Sequence, residues 1–176
     1  SHNTGIGARA LYQNTTANDN TAIGAWVLDA NTTGGANVGV GASALGANTT
    51  GANNVAIGHR ALHANTISDN VAVGFKALEA NTTGYINIGI GASALTANTT
   101  GALNTAVGYL SMMACTTGTE NTAVGQRTLK SVTTGAQNTA IGGGALQNNT
   151  ASYNTAVGRD SLIQNTTGAN NTAVGR

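Results

Sequence analysis

Asn followed by a β-branched residue, a small residue, Ile or Val, and then Gly recurs eleven times along this chain. The copies begin at Asn3, Asn20, Asn37, Asn54, Asn70, Asn87, Asn104, Asn121, Asn138, Asn154 and Asn171. They are spaced by 17 residues in eight of the ten intervals and by 16 in the other two. With the Asn counted as position 0, position 1 is Thr, Val or Ile, position 2 is Ala or Gly, position 3 is Ile or Val, and position 4 is always Gly. β-Branched residues suit a pleated strand. Strand alternation then puts positions 1 and 3 on one face and position 2 on the other.

Position 8 is Leu in nine of ten coils, with Met112 the exception, and position 7 is small in nearly all. This predicts a second short strand through positions 7 to 10. Asn-Thr-Thr-Gly follows, as at Asn31–Gly34 and Asn81–Gly84, and reads as a turn whose Asn and Gly supply left-handed backbone or side-chain turns. The 16-residue coils lose their residue in this turn, around Ser68-Asp69 and Ser152-Tyr153. Turns tolerate deletion better than ladders do. Gly, Asn and Thr are poor helix formers, so a helical reading fails. A unit this short cannot bury a core alone and must stack on its neighbours. The expected fold is all-β, a parallel β-solenoid of about ten 16–17-residue coils.

Side-chain size suggests which face is which. The apolar positions 3 and 8 are expected inside, as a core ladder of Ile23, Leu28, Ile57, Leu62, Val73 and Leu78. That core is thin, so further burial is expected between chains. The small position 2 residues Ala22, Ala56, Ala72, Ala106, Ala123 and Ala140 are expected to form the close-packed interface of a homo-oligomer. The Gly at position 4 is expected to have a conformation or contact that forbids a side chain.

Composition removes several function classes. Only 7% of the 176 residues are charged, the net charge is +1, and there are 25 Gly and no Pro. The balance gives no case for nucleic acid, which attracts a clear basic excess. No apolar run approaches the roughly 20 residues of a membrane-spanning helix, so membrane contact by this segment is not expected. Ser1-His2 reads as a tag remnant, and residues 3–176 as one solenoid domain cut from a longer fibrous protein. The lone Cys115 excludes an internal disulfide. Cys115 and Val132 also replace the usual Asn at position 11, which marks that position as tolerant of apolar groups and partly buried.

Val55–Gly58, Val71–Gly74 and the repeated Thr-Ala-Val-Gly resemble the head repeats of YadA-like trimeric autotransporter adhesins. Related arrays occur in bacteriophage tail fibres and bacterial surface fibres, and the repeat does not separate the two. The resemblance covers essentially the whole chain after its first two residues. It implies a left-handed β-roll, three chains side by side, and an extracellular location on a cell surface or virion fibre.

Candidate binding residues lie where coils differ. All six aromatics, Tyr12, Trp26, Phe75, Tyr85, Tyr109 and Tyr153, fall at variable positions. Arg9, Arg60, Lys76 and Arg127 share position 6, with Arg159 one place earlier in its coil. Trp26, Arg60, Phe75, Lys76, Tyr109 and Arg127 are therefore the candidate contacts for a host-surface protein or glycan, against ordinary turn residues that keep the rod soluble. His59 and His63 share a coil without a third ligand nearby, and no metal or other cofactor is expected. The Asn-Thr-Thr triplets at Asn14, Asn31, Asn48, Asn81, Asn98 and Asn165 match glycosylation acceptors but recur because the turn recurs. The carboxylates are scattered without paired spacing, and Gly142-Gly143-Gly144 lacks the following Lys-Ser/Thr of a phosphate loop, so no enzyme is expected.

The leading functional expectation is a structural or adhesive segment of a trimeric surface fibre. The rival is an ice-binding solenoid using the Thr ladders at positions 12 and 13. A hexapeptide-type acyltransferase, with coils near this length, lacks its catalytic His setting here.

Overall fold

The computed structural model describes residues 2–176. Eleven three-residue strands are spaced along the chain as the repeat is. They are β1 (Thr4–Ile6), β2 (Thr21–Ile23), β3 (Val38–Val40), β4 (Val55–Ile57), β5 (Val71–Val73), β6 (Ile88–Ile90), β7 (Thr105–Val107), β8 (Thr122–Val124), β9 (Thr139–Ile141), β10 (Thr155–Val157) and β11 (Thr172–Val174). They pair in chain order in one parallel sheet, with Ala56 opposite Gly39 on one side and Ala72 on the other. The chain is thus an all-β parallel solenoid.

The rest of each coil is turn, and the second strand expected at positions 7 to 10 does not form. Positions 6 and 8 are left-handed instead, as at Trp26 (φ 55°), Leu28 (φ 49°), Lys76 (φ 55°) and Leu78 (φ 51°). A left-handed residue with a Cβ costs about 1–2 kcal/mol, so something must hold it. Hydrogen bonds between coils and within the turn do so. The Leu28 N–H donates to the Ala44 carbonyl at 3.1 Å, and the Asn31 N–H returns to the Leu28 carbonyl at 3.2 Å. In the Asn-Thr-Thr-Gly segment the Asn makes the expected side-chain turn, Asn31 Nδ2 donating to the Gly34 carbonyl at 2.9 Å. The left-handed backbone falls outside the segment, at the residue just before position 0, such as Ala36 or Ile86.

The lumen of the coil is filled from both sides. Leu28, Leu45, Leu62, Leu78, Leu95, Met112, Leu129 and Leu146 enter from the turn wall and are fully buried. From the sheet, Ala22, Ala56, Ala72, Ala106, Ala123 and Ala140 point inward and are equally buried. This reverses the expected sidedness of the strand. The position 2 alanines line the coil's own core and offer no surface to another chain. Ile23, Ile57 and Val73 leave the core ladder for the outer face, whereas Leu28, Leu62 and Leu78 keep their expected place. The reason is room. A Cβ on Gly89 would lie 3.2 Å from Leu78 Cδ1, and one on Gly39 only 2.5 Å from Val27 Cγ1. Once Leu occupies the lumen, the facing strand residue has space for a methyl group at most.

Two buried asparagine ladders complete the interior. At position 0, the Asn37 N–H donates to Asn20 Oδ1 at 2.9 Å, and Asn37 Nδ2 donates to the Gly51 carbonyl at 2.9 Å. At position 11, Asn48 Nδ2 donates to Asn31 Oδ1 at 3.1 Å and to the same Gly51 carbonyl at 2.9 Å. An unpaired buried amide costs about 1–3 kcal/mol, so the ladders hold successive coils in register. Cys115 and Val132 sit fully buried in the position 11 ladder and interrupt it.

Candidate functional site

Two surfaces are built by the coil, and each repeats from one coil to the next. The first is the outer face of the sheet. Because position 2 points inward, positions 1 and 3 point outward together. Ile6, Ile23, Ile57, Ile90, Val124, Ile141 and Val174 are exposed, and Val40, Val73, Val107 and Val157 are partly so. Beside them run Thr21, Val38, Val55, Val71, Ile88 and then Thr105, Thr122, Thr139, Thr155 and Thr172. No charged residue falls at either position in any of the eleven strands. At about 4.8 Å per strand spacing, the ridge extends for about 48 Å.

The position 4 glycines border this ridge, each following the outward position 3 residue. Gly74 has φ +136°, and a Cβ there would lie 2.6 Å from the Gly91 carbonyl oxygen. Gly108 has the same φ, and its Cβ would lie 2.4 Å from the Gly125 carbonyl oxygen. Both the conformation and the contact exclude a side chain, as the repeat implies.

The second surface is the edge at positions 5 and 6, where the candidate binding residues lie. Arg60, Phe75 and Lys76 come together. The His59 and Phe75 rings stack with centroids 5.7 Å apart, and Lys76 Nζ sits 5.6 Å from the Phe75 centroid. Glu79 takes both cations, with Arg60 Nε at 2.5 Å and Lys76 Nζ at 3.5 Å. Trp26 and Tyr109 are exposed on the same edge but lie outside this cluster. Arg9 pairs with Asp29 at 3.1 Å and lies over Tyr12. Much of the basic strip is thus neutralised locally. Arg127 has no carboxylate partner among the described residues.

Other candidates fall apart on inspection. His63 Nδ1 lies 3.1 Å from the Ser43 carbonyl while His59 stacks on Phe75, so the two imidazoles serve different contacts. The side-chain nitrogens of Asn31, Asn48, Asn81 and Asn98, which glycosylation would require, are hydrogen-bonded inside the coil. Most Thr hydroxyls at position 12 are also engaged, Thr32 donating to the Thr49 carbonyl at 3.1 Å and Thr82 to the Thr99 carbonyl at 2.9 Å. Burial pushes the Cys115 thiol up to about 11, against the smaller lowering effect of hydrogen bonding to the Gly118 backbone. It is a poor nucleophile at neutral pH.

Size misled the sequence reading of the outer face, since Ile and Val recur there without exception. One signal for the correct side was present: Val27, the largest position 7 residue, is followed in the next strand by Gly39 in place of Ala. Compared with family models, with curated proteins and with solved structures, the chain matches none.

Proposed function

We propose that this chain is a non-enzymatic, structural and adhesive segment of an extracellular fibre, in which copies of the chain pack side by side through the outer face of the sheet. The observation that carries the reading is the uncharged Thr/Val/Ile ridge at positions 1 and 3 of all eleven strands. Parallel sheets occur almost only with both faces covered, and here the turn wall covers one face alone. A partner that covers the other along its whole length must carry the same strand spacing. A second copy of the chain has it. Three copies and a left-handed coil are what the resemblance to YadA-like heads and phage fibres implies. The position 5 and 6 edge then faces outward, where a host-surface protein or glycan meets the fibre.

Cysteine cross-linking tests the interface. In a Cys115→Ala background, Val73→Cys should give interchain disulfides on mild oxidation, whereas a Cys at the turn position of Ala47 should give few. Equal yields at both sites would count against the sheet face as the interface.

A second reading has one observation in its favour. In β7 to β11 the outer face alternates Thr at position 1 with Val or Ile at position 3, a regular array of hydroxyl and methyl groups that suits ordered water. Thermal hysteresis in a monomeric preparation would support this ice-binding reading against the fibre.

A further inference from the structure

One coil lacks the side chains that all the others carry at the edge. Positions 5 and 6 are Gln126-Arg127 in one coil, Gly143-Gly144 in the next, and Arg159-Asp160 in the one after. Ladder hydrogen bonds fix their order in space: the Gly144 N–H donates to the Gln126 carbonyl at 2.9 Å, and the Asp160 N–H to the Gly143 carbonyl at 2.9 Å. The missing Gly143 side chain opens a notch of about 350 Å³, lined by Gln126, Arg127, Gly143, Gly144, Gln147, Arg159 and Asp160, with the Asp160 carboxylate folded over Gly144.

We propose that this notch binds a carboxylated saccharide unit. Its lining residues are polar, charged or glycine, with Ile163 Cδ1 reaching only the Gly144 end, so an apolar ligand gains little there. Arg159 Nε is held 3.4 Å from Asp160 Oδ2, so of the two lining cations Arg127 is the one without a carboxylate partner among the described residues. A guanidinium in that state matches a carboxylate through two parallel hydrogen bonds. Asp160 only accepts hydrogen bonds, and the Gln126 and Gln147 amides both donate and accept. The complementary ligand therefore carries hydroxyl donors together with one negative charge. A bare inorganic anion would meet Asp160 with nothing to donate and would leave most of the notch empty. A hydroxylated ring bearing a carboxylate meets each of these demands. The Arg127 guanidinium would hold the carboxylate, Asp160 and the glutamines the hydroxyls, and the Gly143 backbone would let the ring approach.

The site deepens the adhesive reading and rests on it only for where such a saccharide would be met. Amide shifts of Gln126, Gly143 and Gly144 in the 15N-labelled full chain would be followed during titration with a glucuronic acid–glucose disaccharide, its neutral glucose–glucose counterpart, and sodium sulfate. The acidic disaccharide should give saturable shifts, with the neutral one and sulfate at least about tenfold weaker. Arg127→Gln should weaken binding about tenfold or more. Gly143→Tyr should abolish it without unfolding the chain. Gly143 has no left-handed φ, a Cβ there meets only the Gln126 carbonyl at 3.9 Å, and Phe75 and Tyr109 occupy the same position in other coils. Equal binding of the neutral disaccharide or of sulfate would overturn the assignment, as would binding that survives Gly143→Tyr. Absence of any saturable shift would overturn it as well, while leaving the fibre reading, which is read from oligomeric mass, in place.

Discussion

Ala56 and Ile57 are adjacent in β4 and lie on opposite sides of the coil wall, the alanine fully buried and the isoleucine 41% exposed. That relationship recurs in each inner strand and divides the molecule into a narrow interior and an apolar exterior. The interior keeps one coil folded on the next. Among the described residues, the exterior has no partner within the chain.

Replacing an inward alanine should therefore damage the coil itself. Ala123→Phe forces a ring into a lumen already filled from the turn wall by leucines, and should cost about 1–3 kcal/mol or more in urea unfolding. Val124→Thr, one residue along and pointing outward, should change the stability of the isolated chain far less. A tolerated phenylalanine at 123 would show that the lumen has spare volume.

The parts of this fold legible in sequence are those where one physical demand acts on one residue type. Gly at position 4 answers a positive φ and a carbonyl contact, and Leu at position 8 answers the need for a large group in the lumen. Where two demands give the same residue type, sequence pattern misleads. A ridge of Ile and Val suits an inner ladder or an outer interface equally, and Ala suits a crowded lumen or a close chain–chain contact. Asn at positions 0 and 11 carries the same ambiguity, because turn formers and buried ladder residues look alike until hydrogen bonds are seen. The notch at Gly143-Gly144 had a visible sequence trace, but its flanking Arg127 and Arg159 become neighbours only once coil stacking is known.

Leu78 and Gly89 give a paired test of lumen packing. Leu78→Ala should cost about 2–5 kcal/mol. Gly89→Ala alone should also destabilise, since its Cβ would lie 3.2 Å from two Leu78 carbons. In the Leu78→Ala background the same change should recover part of the loss, because the methyl group enters the space vacated. Strictly additive losses in thermal unfolding would reject the contact.

Gly74→Ala should destabilise by at least about 1–3 kcal/mol, the order of cost for a side chain in a backbone region open essentially to Gly alone. Gly143→Ala should be close to neutral, having no left-handed φ and only an ordinary contact with the Gln126 carbonyl at 3.9 Å. Denaturant midpoints that fail to separate the two would remove the position 4 constraint.

Cys115 makes stability sensitive to alkaline pH. Its thiol is raised by burial from 9.0 to about 11, so the folded chain retains a proton that the unfolded chain releases. This contribution is fully present below pH 9 and is lost as pH rises toward 11, at about 1.4 kcal/mol per pH unit. Cys115→Val should flatten that part of the profile relative to the parent chain. In the native protein at pH 8, the thiol should resist alkylation until unfolding exposes it.

The mass of the assembly in solution, measured by light scattering, tests most directly whether the outer sheet face binds further copies of the chain. A species near 52 kDa is expected, three times the 17.3 kDa chain, with Ile57→Glu and Val73→Glu shifting it toward monomer while the coil stays folded. A parent chain that remains at 17.3 kDa across the micromolar range, with its Ile and Val ridge open to water, would contradict the account.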